Sequence, residues 1–408
     1  MHYQLPVNET AEYLYRYIFR NHLKEDCYFA LSRNSADWDR LEKEGFKLID
    51  FGSDIFEAKL KSCSKIISSN VDHYITNYFG DEYEYSKKII FLQHGVIHND
   101  LSSWLNTQKN INLFVTSTQD EYNSIVKHKS RYKFCNKEVK LTGMPRHDYL
   151  LKSDQVEEKI ILVMPTWRKN IVGKAIDKSN IRQINNNFKN ESYCKAWEGF
   201  LNNEKLKKLY EKYGYKVVFA PHVNITPYLS VMNIPSFIQV WSKDKNYENL
   251  QSIFKKSKVF ITDYSSAAFD LAYLNKAIIY YQFDKEEFFS GSHTSQLSYF
   301  EYENDGFGPV VEQLEQLEQA LEQILQNNGK ALEPYLTRME NTFPFKDSRC
   351  CERVYNAIIA LNHEENSHNL ELAHIFLNQA YEFKNYNLVR ERAENILLLP
   401  DLNETDKQ

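Results

Sequence analysis

The chain has 408 residues and a formal net charge of −5, and both values limit what it can be. A chain of this length exceeds one ordinary hydrophobic core, so two or three domains are expected. The mild negative charge gives no reason to expect a nucleic-acid partner, although locally clustered lysines could face an anionic substrate or lipid headgroups.

The cysteines and the apolar segments indicate the compartment. The six cysteines form no C-x-x-C pair, and the adjacent Cys350 and Cys351 suit neither a metal site nor a disulfide, so reduced thiols in a cytosolic protein are expected. The N-terminus lacks the features of a signal peptide, and no stretch approaches the roughly 20 apolar residues of a membrane span. We therefore predict a cytoplasmic protein whose membrane association, where it occurs, is peripheral and at the inner face of the plasma membrane.

Strand-like and helical segments alternate along the first part of the chain. The helical segments cover residues 37–44 and 55–62. The strand-like segments are residues 27–31, 46–50, 65–69, 88–92 and 113–116. This alternation predicts a parallel sheet covered by helices on both faces.

A second series of the same kind follows a polar break at residues 151–158. Its helical segments include residues 192–213, 250–257 and 267–274. Its strand-like segments are residues 159–164, 215–219, 236–240, 259–261 and 277–281. Two successive α/β halves predict a two-domain enzyme with a cleft, and ligands are expected beyond the carboxyl ends of the strands.

Helices are predicted for the rest of the chain. Residues 312–326 have the spacing of an exposed amphipathic helix, and residues 346–364 are expected to carry a helix that packs back on the body. Residues 365–408 are predicted to form a helical hairpin. The small and aromatic positions of this hairpin resemble one tetratricopeptide repeat: Ala380, Tyr381, Phe383, Tyr386, Ala393 and Pro400. Because one repeat cannot bury its own apolar face, the hairpin either docks on the body or begins a repeat array. An ordinary helical pair fits equally well.

The sequence TDYSSAAFD, residues 262–270, carries two serines at a junction between a strand and a helix. The first N–H groups of a helix have no internal partner and attract anions, phosphate above all. Ser265 and Ser266 are therefore candidates for phosphate binding. A simple N-cap explains the same pattern equally well.

Histidines and basic residues follow other predicted strands. His94 follows residues 88–92 and is a candidate to accept a proton near neutral pH, although a lone histidine is more often structural. Its neighbour Gly95 would let a ligand approach the backbone closely. Arg168 and Lys169 follow residues 159–164, and an adjacent arginine and lysine suit a diphosphate. His222 follows residues 215–219 in the same way.

The turn TGMPRHD, residues 142–148, lies close to the break between the two halves. Arg146 and His147 could contact an anion, and a turn that only positions its neighbours is as plausible. Asp284 follows the strand-like residues 277–281. Polar groups that follow strand after strand make an accidental arrangement improbable.

These motifs together resemble the CDP-glycerol glycerophosphotransferase family, which includes teichoic-acid polymerases, primases and related bacterial capsule polymerases. The resemblance spans residues 10–360 in the family's order and spacing. It rests on QHG, TGMPRHD, MPTWRKN, APHVN, ITDYSSAAFDLAYLNKAIIYYQFD and DGFGPVV, of which the TDYSS segment is highly specific.

The resemblance implies a fold and an activity. The fold is a pair of Rossmann-like domains of the glycosyltransferase-B type, residues 1–152 on the acceptor side and 153–345 on the donor side. The activity is transfer of a polyol phosphate from CDP-glycerol or CDP-ribitol to a hydroxyl of a growing polymer, with release of CMP. The acceptor would be a polyol-phosphate or glycan chain.

The resemblance also implies roles for individual residues. His94 takes the place of the family's proposed general base, and His222 that of a histidine that contacts the diphosphate. The donor is expected to be bound by Arg168, Lys169, Pro221, Asp263, Ser265 and Ser266. Support is expected from Gly95, Gly143, Arg146 and Asp270. Leu92 and Gln93 before His94, and Val223 after His222, depart from the family pattern, so the acceptor side is less firmly indicated.

Cofactors, partners and alternatives complete the predictions. No obligatory metal is expected, and the sequence does not indicate Mg²⁺, because basic side chains can neutralise a leaving group and no D-x-D pair follows a strand. The helical tail is a candidate surface for other biosynthesis enzymes, and it weakly favours a capsule polymerase. Two alternatives remain: a sugar transferase of the same architecture that uses a nucleotide-sugar, and a non-catalytic scaffold. The sequence does not distinguish glycerol from ribitol, or one addition from many.

Overall fold

The computed structural model describes residues 10–80, 87–108, 111–152, 155–173, 182–241, 249–292, 296–361, 377–382 and 384–397. The strands are β1 Phe29–Leu31, β2 Leu48–Asp50, β3 Lys65–Ser68, β4 Lys88–Phe91, β5 Ile111–Thr116, β6 Val139–Leu141, β7 Ile160–Met164, β8 Lys216–Phe219, β9 Gln239–Val240, β10 Val259–Thr262, β11 Ala277–Tyr281 and β12 Val310–Val311.

These strands form three parallel sheets. Two are built from the first part of the chain: the pair β1-β2 and a four-stranded sheet of order β3-β4-β5-β6. The third has six strands in the order β12-β11-β10-β7-β8-β9. Every pairing is parallel, so the predicted α/β class with parallel sheets is confirmed.

Helices connect the strands, as parallel pairing requires. The α-helices are Thr10–Asn21, Trp38–Lys43, Asp54–Ser62, His73–Thr76, Ser102–Leu105, Gln119–Val126, Pro145–Leu150, Ser192–Leu201, Glu204–Tyr213, Leu250–Lys256, Ala267–Tyr273, Lys285–Glu287, Tyr302–Asp305, Leu314–Gln326, Tyr335–Thr342, Cys350–Ala360 and Tyr386–Leu397, with a further helix at 377–382. Short 3₁₀ turns occur at Phe188–Asn190 and Thr226–Tyr228, and a π-helical turn at Phe288–Ser292.

Two details of the secondary structure differ from the sequence prediction. The single helix predicted over residues 192–213 is wrong: Ser192–Leu201 ends and Glu204–Tyr213 begins separately. The break occurs because the Asn203 side chain accepts from the N–H groups of Lys205 and Leu206 and so starts a new helix. The strands β6 and β12 were not predicted, since β6 has a lysine between its two apolar residues and β12 directly follows a Gly-Pro pair, so neither stands out as an apolar run.

The six-stranded sheet has a hydrophobic core on each face. In β7, Ile161 and Val163 pack into one core around Trp197, whereas Ile160 and Leu162 pack into the other. Successive side chains of a strand point to opposite faces, so a strand buried on both faces is apolar throughout. This arrangement leaves the ends of the strands as the place for polar groups.

The helix Cys350–Ala360 returns to the first part of the chain. Val354 and Ile358 pack with Leu14 against Ile90 and Leu92 of the four-stranded sheet and its edge. The N-terminus of this helix is held by Asp148, whose two carboxylate oxygens accept from the N–H groups of Cys350 and Cys351, each at 2.8 Å. One carboxylate thus satisfies two of the unpaired donors at the helix start.

Gly143, in the TGMPRHD turn, faces the start of this helix. Its φ is +76°, and a Cβ built on it would lie 2.5 Å from Cys350 Sγ. The carbonyl of the preceding Thr142 accepts from Arg353 Nε at 2.8 Å. Both the backbone conformation and the available space therefore require glycine at this position.

The described part of the tail is helical. In the helix 377–382, Glu382 lies 3.6 Å from His128 Nε2, and the Gln379 amide lies 3.3 Å from His128 Nδ1. Phe383 and Pro400, which contribute to the repeat-like pattern, lie outside the described residues. The resemblance to a tetratricopeptide repeat stays a prediction.

Cysteines and membrane spans give two further observations. All six cysteines lie in the described part of the chain and are free thiols. Within those same residues, no helix combines the length and the apolar character needed to cross a bilayer.

We predict that Gly143→Ala destabilises the protein more than Gly214→Ala. Gly214 has a similar φ of +71°, but nothing lies within 4 Å of its built Cβ. The control variant therefore incurs only the left-handed backbone cost of about 1–2 kcal/mol, and Gly143→Ala adds about 1–3 kcal/mol for the overlap with Cys350. Urea unfolding measures the loss of stability of both variants. Equal losses would show that the Cys350 side chain moves aside without lowering the free energy of unfolding.

Candidate active site

The loop that carries His94 follows β4 and begins with a strained residue. Gln93 has a φ of +68°, a left-handed conformation that residues other than glycine rarely adopt. Its side-chain amide donates to the Val115 carbonyl at 2.7 Å. His94 comes next and is exposed. Strain held beside an exposed histidine is typical of a functional site.

Arg146, in the helix Pro145–Leu150 that follows β6, holds this loop. Its Nη1 donates to the His94 carbonyl at 2.6 Å. Its Nε and Nη2 donate to the two carboxylate oxygens of Asp270 at 2.9 and 2.7 Å. Arg146 is 5% exposed and Asp270 3% exposed. A buried, two-pronged ion pair therefore joins the His94 loop to the helix Ala267–Tyr273.

The charge state of Asp270 follows from its neighbours. Burial raises the pKa of its carboxyl, but Arg146 and His147 lower it by more, so the net pKa lies below its usual value. Burial lowers the pKa of the His147 imidazole, and Asp270 only partly offsets this. The cluster therefore holds an ionised Asp270, a charged Arg146 and a neutral His147 at pH 7.

Gly95 brings two of the predicted motifs into contact. A Cβ built on Gly95 would lie 2.5 Å from Ser266 Oγ and 3.1 Å from Ser266 Cβ, so a larger residue would separate them. The QHG loop after β4 and the TDYSS turn after β10 therefore touch. The sequence predicted each motif, but not this direct contact.

The two serines have different surroundings. Ser265 Oγ accepts from the Ala267 N–H at 3.2 Å and so caps the helix start. Ser266 occupies the N-cap position but makes no side-chain capping hydrogen bond, and its hydroxyl lies against Gly95. The sequence allowed either a helix cap or a phosphate-binding role for the two serines. In the structure Ser265 caps the helix, and Ser266 presents its hydroxyl towards the His94 loop.

Arg168 lies in a different environment from the one expected for it. It is 2% exposed and forms ion pairs with Asp263 at 2.9 Å and Asp284 at 2.8 Å. Its guanidinium also lies 4.9 Å from the Tyr264 ring centre and 4.7 Å from that of Phe288. Two carboxylates already neutralise this cation, which favours a structural role over the predicted contact with a diphosphate.

Asp263 is part of the same buried network. It is fully buried, and its Oδ1 accepts from the Thr166 N–H at 2.8 Å. Burial raises the pKa of its carboxyl, and Arg168 acts in the opposite direction. Asp263 therefore ties the β7 loop to the β10 loop, which again favours a structural role over direct donor binding.

The exposed basic groups lie at the ends of β7 and β8. Lys169 is exposed and Pro221 and His222 are partly exposed. The His222 ring stacks on Trp167 with centres 5.9 Å apart. His222 Nδ1 accepts from the Asn224 N–H at 3.1 Å, so the neutral ring carries its proton on Nε2.

Arg182 joins this edge although the sequence did not single it out. Its guanidinium lies 4.5 Å from the Trp167 ring centre, on the residue that also stacks with His222. It follows no strand and belongs to a polar segment, so only its tertiary position marks it.

His98 is a second residue that the sequence left unremarked. It is buried, its Nε2 lies 3.0 Å from the Tyr302 hydroxyl, and its ring contacts Phe269 and Phe300. Burial lowers the pKa of its imidazole to about 4. His98 follows the QHG motif but packs against residues of the second half, so it lies where the two halves meet.

Two observations concern charge and metals around His94. Burial raises the pKa of Asp72, while His73 and His94 lower it, so Asp72 is a carboxylate close enough to act electrostatically on His94. Among the described residues, no group of three or more His, Cys, Asp or Glu side chains is arranged to hold a metal ion.

Comparison with known protein families identifies the family of the chain. The sequence model of CDP-glycerol:poly(glycerophosphate) glycerophosphotransferases matches residues 4–360. The chain belongs to this family. The resemblance in the sequence motifs is thereby confirmed.

Individual relatives point the same way. The chain is 35% identical over 366 residues to the minor teichoic acid biosynthesis protein GgaB of Bacillus subtilis (strain 168), across 88% of this chain and 39% of that protein. It is 25% identical over 232 residues to the teichoic acid glycerol-phosphate transferase of Staphylococcus aureus (strain NCTC 8325 / PS 47), across 53% of each. The chain thus spans less than two thirds of the length of these relatives.

Solved structures share the fold. The wall teichoic acid polymerase TagF superposes with a TM-score of 0.59 at 15% identity, over 89% of this chain and 88% of that chain. The UDP-GlcNAc 2-epimerase of Methanocaldococcus jannaschii, in complex with UDP-GlcNAc and UDP, gives 0.52 at 11% identity, over 86% and 97%. At these identities the likeness concerns the fold alone.

We predict that His98 makes the protein lose stability on acidification. Between pH 6.5 and about 4 the unfolded chain takes up a proton at His98 that the folded chain does not, so stability falls as pH falls through this window, by about 3 kcal/mol in total. His98→Gln should have a flatter stability curve between pH 6.5 and 4.5 in urea unfolding.

The control is the same comparison between pH 7.5 and 8.5, where His98 is neutral in both the folded and the unfolded chain, so the wild-type and His98→Gln curves should run parallel there. Curves that also run parallel between pH 6.5 and 4.5 would contradict the assignment.

Proposed function

We propose that this chain is a transferase that moves glycerol phosphate or ribitol phosphate from a CDP-polyol to a hydroxyl of a growing teichoic-acid-like or capsule polymer, with release of CMP. One observation carries the proposal: Gly95 packs on Ser266, so an exposed histidine is adjacent to the serine pair in a member of the glycerophosphotransferase family.

We further propose the two-domain glycosyltransferase-B arrangement, with Rossmann-like domains at residues 1–152 and 153–345 facing a cleft. The separate four-stranded and six-stranded parallel sheets support it. So does the contact between loops at the carboxyl ends of β4 and β10, the edge at which open parallel sheets bind ligands.

The donor diphosphate is best matched by groups that the fold leaves accessible. Lys169 and Arg182 supply charge, and His222 supplies an Nε2–H donor. The Ser266 hydroxyl, which is not used as a cap, adds a further donor. Arg168 and Asp263, together with Pro221 at the β8 end, shape the walls of this site. Charged and N–H donors of this kind form strong hydrogen bonds with phosphate oxygens.

The proposed reaction is a single displacement at phosphorus. An acceptor oxygen forms a bond to the β-phosphorus, and the bond from that phosphorus to the bridging oxygen breaks, so that CMP leaves with the electron pair. His94 accepts the proton of the attacking hydroxyl. Asp72 stabilises the resulting imidazolium, while Lys169, Arg182 and His222 stabilise the charge on CMP.

The surroundings of the enzyme are part of the proposal. We expect action at the cytoplasmic face of the plasma membrane, and contacts with other biosynthesis enzymes through residues 365–408. We expect no obligatory Mg²⁺, because basic side chains supply the positive charge at the leaving group. Chelation with EDTA should then leave turnover unchanged.

We predict that purified protein releases CMP from CDP-glycerol or CDP-ribitol in the presence of an oligomeric acceptor. His94→Ala should abolish transfer, because it removes the group proposed to take the acceptor proton, while CDP-polyol affinity stays within a few-fold. Nucleotide release and product size measure turnover, and calorimetry measures donor binding.

The same assay separates the alternative. A panel of UDP-sugars should release no UDP. Release of UDP without CMP would identify a sugar transferase, and near wild-type turnover by His94→Ala would reject the proposed base.

We predict that Ser266→Ala weakens CDP-polyol binding by about tenfold, as expected for loss of one hydrogen bond to a charged group. The double variant Ser265→Ala/Ser266→Ala should bind at least as weakly and should also lose about 1 kcal/mol of stability with the cap. Calorimetric titration and urea unfolding separate the two effects.

Ser53→Ala is the matched control. Ser53 Oγ accepts from the Phe56 N–H at a helix start in the first half, so this variant loses a cap at a residue outside the proposed donor site. It should lose stability and keep donor affinity. Unchanged donor affinity in the double variant would reject the phosphate site.

A further inference from the structure

The loop that carries His94 has an anchor that the sequence did not indicate. Glu121, in the helix Gln119–Val126, is fully buried. Its Oε1 accepts from the Gln93 amide at 2.8 Å and from the Ile97 N–H at 2.7 Å. Gln93 and Ile97 flank His94 and Gly95 on either side. One carboxylate oxygen therefore holds both ends of the loop.

Helix capping explains only half of this geometry. The Thr118 hydroxyl accepts from the Glu121 N–H at 3.1 Å, and Glu121 Oε2 accepts from the Ser117 N–H at 2.7 Å. These bonds resemble a capping box at the start of the helix. The other oxygen, Oε1, takes no part in the cap and reaches across to the loop.

The chemistry of the site requires a carboxylate. Burial raises the pKa of Glu121 to about 7, although hydrogen bonds from the N–H groups of Ser117, Ile97 and Gln93 lower it. Three N–H donors converge on two oxygens. The ionised carboxylate, which predominates above this pH, only accepts hydrogen bonds, so it satisfies all three, whereas an amide would turn its own N–H₂ towards one of them. Glutamine at this position would leave a buried donor unsatisfied.

We propose that Glu121 is a positioning residue for His94. Arg146 holds the His94 carbonyl from one side, and Glu121 holds Gln93 and Ile97 from the other. Together they stabilise the left-handed backbone at Gln93 and fix the imidazole relative to Ser266. The inference rests on the proposed function in so far as it takes His94 to be the base.

The test compares Glu121→Gln with Asp120→Asn. Asp120 is the exposed neighbour on the same helix, so both variants remove one carboxylate charge from that helix. Glu121→Gln should lower kcat by at least about tenfold, because small displacements of a reacting group cost orders of magnitude in rate. Its KM for the CDP-polyol should stay within about twofold, because the donor site is untouched. Asp120→Asn should behave as wild type.

A second readout needs no turnover. In NMR spectra, Glu121→Gln should shift the Ile97 amide and the His94 imidazole signals, and should speed hydrogen exchange at Ile97. Asp120→Asn should leave these signals in place. If wild-type protein turns over no CDP-polyol, the proposed function fails, and this readout still decides whether Glu121 positions His94.

A further variant covers the case in which Glu121→Gln does not fold. Gln93→Asn tolerates the left-handed backbone but is one methylene too short to keep the bond to Glu121. It should show the same loss of kcat with KM preserved. The proposal is overturned if a folded Glu121→Gln or Gln93→Asn keeps wild-type kcat, or if the His94 signals do not move.

Discussion

The ion pair between Arg146 and Asp270 is the constraint on which the site depends. It is buried and two-pronged, and removing one partner of such a pair typically costs about 3–5 kcal/mol because the other charge is left buried. Its third hydrogen bond goes to the His94 carbonyl. The relative position of the histidine loop and the serine turn is therefore set by an interaction that is costly to break.

The residues that follow Arg146 extend this constraint. The His147 ring stacks on Tyr273 with centres 4.3 Å apart, and Asp148 holds the start of the helix Cys350–Ala360. Three consecutive residues thus contact three segments that are distant in the sequence. The sequence allowed two interpretations of the TGMPRHD motif, contact with an anion or a turn that positions its neighbours. These contacts favour the second, because the motif connects the His94 loop, the helix Ala267–Tyr273 and the helix Cys350–Ala360.

A local sequence pattern was sufficient to predict where most of the strands end. Apolar runs located ten of the twelve described strands, and His94, Lys169, His222, Ser265 and Ser266 all lie just beyond strand ends, as that pattern implied. Arg168 illustrates the limit. Its sequence context matches that of Lys169, but Asp263 and Asp284 from two other loops surround it. No local pattern could indicate that its charge was already neutralised.

The sequence by itself determined the parallel α/β class and the edge at which the polar groups gather, because side-chain periodicity and strand-end chemistry are local properties. The family followed from the resemblance of its motifs. The tertiary structure decided which of those groups remain accessible. It paired Gly95 with Ser266, buried Arg168, brought Arg182 over Trp167 and placed Glu121 under the His94 loop. These outcomes depend on contacts between residues far apart in the chain, since burial and hydrogen-bond partners are set by packing and not by neighbouring residues.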